Sequence, residues 1–159
     1  MKIKSIALAL ALTALNSTAL AETLSEETLG DFKVHVIEDD MTDEVYAIAA
    51  TSYGYESLMM QCSNNSNNVV LKIVGSKPIF ASEGSEGGLI RFDKNPAESL
   101  TFSNFQSEST TPHDAVFTVP DEAKIVRFRV PTVRGQSRDF KFRASGFKEA
   151  MATVKATCK

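Results

Sequence analysis

Side chains that commonly carry catalysis are scarce in this sequence. Its 159 residues include only two histidines, His35 and His113, and two cysteines, Cys62 and Cys158. The histidines do not have the spacing of a metal-ligand pair. Without an odd cysteine, catalysis by a Cys/His pair is not expected. We therefore expect no metal, no cofactor and no enzymatic activity, although a Ser/His/Asp set assembled by folding stays open at the level of sequence.

Long apolar runs are also lacking, except at the N-terminus. Lys2 and Lys4 precede an apolar stretch from Ile6 to Leu15, and Ala19-Leu20-Ala21 has the A-x-A pattern of a cleavage site. This order predicts a signal peptide over residues 1–21, cleaved after Ala21, and hence an exported, periplasmic protein. The run is shorter than a membrane-spanning helix requires, and a retained N-terminal anchor is the alternative.

The remaining chain, residues 22–159, has the size of one domain with its own core. Removing Lys2 and Lys4 changes the formal net charge from −3 to −5, which argues against nucleic acid as a partner. Cys62 and Cys158 form an even pair, which in an exported protein predicts one disulfide. Two unpaired buried thiols are the alternative. We expect no stable membrane span after cleavage.

Alternation of apolar and polar residues recurs in short segments separated by Gly, Pro, Asn and Ser. FKVHV (32–36), EVYAIAATS (44–52) and SLMMQC (57–62) place every second residue on one face. Later candidate strands are NVVLKIVG, IFASE, GGLIRFD, ESLTFSNF, AVFTV, IVRFRV and RDFKFRA. Short strands with turns between them predict a mainly β protein, an antiparallel β-sandwich or barrel. The polar residues 22–30 are interpreted as a loosely held lead-in.

The period changes near the C-terminus. Within GFKEAMATVKATC, the apolar residues recur at helical spacing, which predicts an α-helix over residues 146–158. Cys158 would lie on the buried face of this helix, and a bond to Cys62 would attach the helix to the sheet. The buried stripe comprises Phe147, Ala150, Met151, Val154 and Cys158.

A hairpin just before the helix concentrates positive charge. In IVRFRV and DFKFRA, alternation puts the valines and phenylalanines on one face and the basic residues on the other. We interpret this basic surface as a partner-binding site for carboxylate or phosphate groups. The alternative is a solvated face balanced by the protein's own acids, such as Asp139. The predicted contact residues are Arg127, Arg129, Lys141 and Arg143, with Arg134 and Arg138 in or near the connecting turn.

Two further segments could have formed sites. DDMTDEV carries four carboxylates, Asp39, Asp40, Asp43 and Glu44, but lacks the glycine of a calcium loop. We interpret it as a turn between strands that also neutralises part of the basic hairpin, with cation binding left open. EGSEGG (83–88) does not match G-x-S-x-G and is interpreted as a flexible hairpin loop.

The order of these features resembles the periplasmic proteins associated with type VI secretion, the VasI or TagO-like family, with relatives in phages and other mobile elements. The resemblance covers nearly the whole chain after residue 21, with Phe32 at the family's usual tryptophan. The matching segments are Phe32-Lys33-Val34, D-x-M-T-D-E (39–44), LMMQC (58–62), Arg91-Phe92-Asp93, V-F-x-x-P (116–120), S-G-F-K-E-A (145–150) and the terminal cysteine.

The resemblance implies a small, mainly β periplasmic accessory protein with no known catalytic residues. It also implies the Cys62–Cys158 disulfide and a structural pair of Arg91 and Asp93 at a strand end. We expect a non-enzymatic exported binding protein that supports type VI secretion or envelope assembly, with an envelope protein or cell-wall component as its partner. The alternative is an inhibitor of a secreted enzyme such as lysozyme. Its acidic stretch (39–44) or its SEGSEGG loop (82–88) would then enter the active-site cleft.

Overall fold

The computed structural model describes residues 21–66, 68–75, 85–105, 108–110, 117–132 and 136–158. The predicted signal peptide, His113, Arg134 and the candidate strand IFASE (79–83) lie outside these residues, apart from Ala21.

Ten strands and one helix form the described part of the chain. The strands are β1 (Glu22–Leu29), β2 (Phe32–Asp39), β3 (Glu44–Tyr53), β4 (Glu56–Ser63), β5 (Val70–Val74), β6 (Ser85–Phe92), β7 (Glu98–Phe105), β8 (Glu108–Thr110), β9 (Ile125–Pro131) and β10 (Ser137–Arg143), and the helix is α1 (Phe147–Thr157).

The strands form a folded-over antiparallel sheet. Their hydrogen-bonded order is β1-β2-β3-β4-β5-β8-β7-β6-β9-β10, and the short β8 joins the two halves by pairing with both β5 and β7. Because β10 lies against β3 and β4, the two halves face each other as the layers of a β-sandwich. Arg138 of β10 also reaches Glu56 of β4, with Nη2 2.6 Å from Oε1. The predicted fold class is therefore confirmed.

Alternation along the strands builds the core between the layers. In β9, Val126, Phe128 and Val130 are buried, whereas Arg127 and Arg129 are exposed. Burial of these large apolar side chains is the main favourable term that holds the two layers together. The largest fully buried aromatic residues are Phe32, Phe102, Phe128, Phe140, Phe142 and Phe147.

Helix α1 closes one side of the core, as predicted. Gly146 and Cys158 are its caps, so the predicted bounds of 146–158 include the helix and both caps. Phe147, Ala150 and Val154 are buried, and the helix packs on β2, β3 and β4. The disulfide between Cys62 and Cys158 attaches its C-terminal end to β4.

Three local predictions were wrong. Residues 22–30 are not a loose lead-in, because β1 pairs with β2 along its whole length although seven of its eight residues are exposed. Residues 85–88, predicted as loop, begin β6 and pair with β7. The described part of AVFTV is not a strand: the Phe117 ring packs beside Phe92, and the Thr118 N–H donates to the Glu98 carboxylate instead of to a neighbouring strand.

Candidate partner-binding face

The predicted basic hairpin exists, and a third strand extends it. In β9 and β10, Arg127 lies opposite Lys141 and Arg129 opposite Asp139. On the other side of β9, Arg91 of β6 lies opposite Arg127. Arg91, Arg127 and Lys141 therefore form one line across three strands, which we call the basic row. All three side chains are on the exposed outer face of the sandwich.

The charge of Arg129 is balanced within the hairpin itself, by Asp139. Its Nε and Nη2 each lie 2.8 Å from an oxygen of Asp139, which is a bidentate pair. These hydrogen bonds raise the pKa of Arg129 and lower the pKa of Asp139. The alternative interpretation, a face balanced by the protein's own acids, therefore holds for Arg129.

Arg143 and Arg138 form ion pairs with acids outside the hairpin. Nη1 of Arg143 lies 3.8 Å from Oδ1 of Asp31, and the Arg143 side chain is 71% exposed. Arg138 is turned away from the face: it binds the partly buried Glu56, and its guanidinium lies 4.8 Å from the centre of the Phe140 ring. Together with the basic row, Arg129 and Arg143 make up what we call the basic face.

The basic row has no acidic partner among the residues that the structure describes. Arg127 donates from Nη1 to the backbone oxygen of Asp93 at 3.1 Å, which is a neutral acceptor. Within the described residues, the side chains of Arg91 and Lys141 make no hydrogen bond or ion pair. Like charges directly opposite each other on neighbouring strands destabilise a sheet. An anion bound along the row would remove that cost.

A cleft of about 160 Å³ lies beside the basic row. Leu89 and Ala97 supply apolar surface, and Arg91, Arg127 and the Arg129–Asp139 pair surround it. Guanidinium groups bind carboxylates and phosphates in a bidentate manner. The cleft can therefore receive an anionic group together with a small apolar one.

Arg91 was not recognised as part of this face from the sequence. The resemblance implied a structural pair of Arg91 with Asp93, but the Asp93 carboxylate instead accepts hydrogen bonds from the backbone N–H groups of Lys124 and Ile125, at 3.1 and 3.0 Å. Alternation in GGLIRFD indicates that Arg91 points outward, since Ile90 and Phe92 are buried. The pairing of β6 with β9, which brings Arg91 beside Arg127, has no local signal.

The acidic stretch 39–44 forms the predicted turn, between β2 and β3. Oδ1 of Asp39 accepts hydrogen bonds from the N–H groups of Met41 and Thr42, at 2.9 and 3.0 Å, and these bonds lower its pKa. Asp43 adopts a left-handed conformation with φ 53°. A hydrogen bond from the Tyr46 hydroxyl lowers the pKa of Glu44.

Neither metal binding nor charge balance for the hairpin is apparent at this turn. No group of three or more His, Cys, Asp or Glu side chains in the described ranges is arranged to hold a metal ion. Within those ranges, Asp39, Asp40, Asp43 and Glu44 form no ion pair with the hairpin. Asp31, Glu56 and Asp139 are described acids that do contact hairpin arginines. His35 lies on the outer face of β2, with Nδ1 3.9 Å from Oε2 of Glu26.

Comparisons of the chain with protein-family models, curated proteins and solved structures found no match. Within the part of the chain that the structure describes, no helix has the length and apolar character needed to cross a membrane.

Proposed function

We propose that this protein is an exported, non-enzymatic accessory protein that binds an envelope partner through its basic face. The observation that carries the proposal is the basic row, in which Arg91, Arg127 and Lys141 stand side by side without an acidic partner in the described structure. On a chain of net negative charge, such a concentration of cations favours an acidic partner surface and speeds its association.

Two features support export and the envelope as the site of action. Residues 1–21 have the order of charged, apolar and small residues that is typical of a signal peptide. The Cys62–Cys158 disulfide fits an oxidising compartment such as the periplasm. The resemblance to type VI secretion-associated periplasmic proteins supports a role in that system or in envelope assembly. Because that family has no known catalytic residues, the resemblance also supports binding over catalysis.

The test is capture of partners from an envelope extract. Mature protein, residues 22–159, is compared with a row variant, R91S/R127S/K141S, and with a control, K33S/K72S/K155S, that removes the same charge elsewhere. We expect the row variant to lose a partner that the wild type and the control retain. Circular dichroism checks that both variants fold. Equal capture by all three proteins would contradict the proposal.

Inhibition of a secreted enzyme such as lysozyme is the second candidate. The observation in its favour is the turn between β2 and β3. Met41 is 79% exposed there and is flanked in the sequence by carboxylates, which would attract a cationic enzyme. A turbidity assay with lysozyme tests it. Inhibition by the wild type that is lost in D40N/D43N would support this function, and unaltered lysis at micromolar protein would exclude it for that enzyme.

A further inference from the structure

The basic row has a defined geometry because it runs across hydrogen-bonded strands. Neighbouring strands lie about 4.8 Å apart, so the Cα atoms of Lys141, Arg127 and Arg91 follow one another at about that interval. The first and third positions are then about 10 Å apart. The row is perpendicular to the strands, and a partner that follows it must cross β10, β9 and β6 in turn.

We infer that the partner presents an acidic α-helix that lies across these three strands, with carboxylates at positions i, i+4 and i+7. This inference rests on the proposed function and specifies the partner of the same face. Residues i and i+7 of a helix are about 10.5 Å apart along the axis, which matches the length of the row. In an extended segment, three successive residues on one face span about 13 Å. The spacing of their carboxylates would therefore not match the length of the basic row, which is about 10 Å.

The surroundings of the row fit an amphipathic helix. Leu89 lies opposite Arg129 on one side of the row, and Ile125 lies opposite Arg143 on the other. Both apolar side chains are only partly buried. Aliphatic residues that flank a carboxylate stripe could contact Leu89 and the cleft. Because Asp139 already binds Arg129, it is less available to compete for the basic row.

Within the residues that the structure describes, a second copy of this chain does not offer such a helix. The sequence of α1, FKEAMATVKAT, contains one acidic residue, Glu149. The carboxylates of residues 39–44 lie at a turn between strands, where Asp39 and Glu44 are already hydrogen-bonded. The occupant with the required stripe is therefore a different protein.

Synthetic peptides with the same number of glutamates and leucines test this inference. The first is an Ala-based helical peptide of about 20 residues with Glu at i, i+4 and i+7 and Leu beside them. The second distributes the same residues around the helix. The third has its glutamates in alternation and is held extended by proline. Fluorescence anisotropy with mature protein measures each affinity at low and at physiological salt.

We expect the striped helix to bind about tenfold more tightly than either of the other two peptides, and its affinity to fall as salt rises. The row variant R91S/R127S/K141S should lose this preference, and K33S/K72S/K155S should keep it. Equal binding of the three peptides, stronger binding of the extended one, or no binding at all would overturn the helix inference. None of those results affects the proposed function, which fails only if envelope capture is independent of the row.

Discussion

Asp39 and Asp93 stabilise two bends of the chain in the same way. Each carboxylate accepts hydrogen bonds from two backbone N–H groups: Met41 and Thr42 donate to Asp39, and Lys124 and Ile125 donate to Asp93. Such groups would otherwise lack a partner where the chain leaves a regular strand. Asp39 and Asp93 therefore each have a structural role at a bend of the chain.

Removal of the Asp39 carboxylate should destabilise the protein in a pH-dependent way. Hydrogen bonds from the turn lower the pKa of Asp39 in the folded state. The stability that the ionised carboxylate contributes is therefore fully present above the pKa of the unfolded chain, near pH 4. It is lost as the pH falls through the pKa of the folded state. We expect Asp39→Ala to lower the urea midpoint at pH 7, and the difference from wild type to shrink as the pH falls below about 4. Asp40→Ala removes the same charge from the same turn and should have little effect. A difference independent of pH would mean that the ionised carboxylate is not responsible.

The connection between β10 and α1 packs closely against the turn between β1 and β2. Gly30 and Gly146 both have left-handed conformations, with φ 59° and 77°. A Cβ at Gly146 would collide with the backbone of Leu29, and a Cβ at Gly30 would collide with the backbone of Ser145. The Asp31 N–H also donates to the Ser145 carbonyl at 2.8 Å, which fixes the start of the helix against the sheet.

Gly146→Ala should therefore cost more stability than the same change at another left-handed glycine. Gly54 has φ 63°, but a Cβ there meets no atom within 4 Å. We expect Gly54→Ala to cost about 1 kcal/mol from backbone conformation alone. Gly146→Ala should cost about 3 kcal/mol or more, since the clash is with backbone that cannot move aside. Urea unfolding of the two variants measures the difference. Equal costs would show that the close approach of the two turns is not important for stability.

The elements that could be predicted are those whose side chains alternate or repeat between core and solvent. Burial of Val126, Phe128 and Val130 follows from IVRFRV, and burial of Phe147, Ala150 and Val154 follows from the helical spacing. Strand β1 could not be found this way, because seven of its residues are exposed and only Leu29 is partly buried. Hydrogen bonding to β2 stabilises this strand. The order of the strands is set by contacts between distant segments. Arg91 was therefore missed, although its outward orientation was predictable.

The disulfide closes a loop that includes most of the sandwich. Cys62 and Cys158 are 96 residues apart, and their bond joins the end of β4 to the end of α1. Helix α1 also has its own buried contacts through Phe147, Ala150 and Val154. The cross-link therefore adds to an already packed structure by restricting the unfolded chain.

A C62A/C158A variant should consequently remain folded but lose stability. For a loop of this length the free energy of unfolding is expected to fall by about 2–5 kcal/mol. The upper part of that range is the value expected from loop-closure entropy alone. Urea unfolding of the variant should coincide with that of wild-type protein under reducing conditions, since both lack the same cross-link. An unchanged midpoint would show that packing of α1 alone carries the stability. The predicted loss would instead mean that the fraction of folded protein depends on oxidation of the two cysteines. Full stability would then require an oxidising compartment such as the one proposed for this protein.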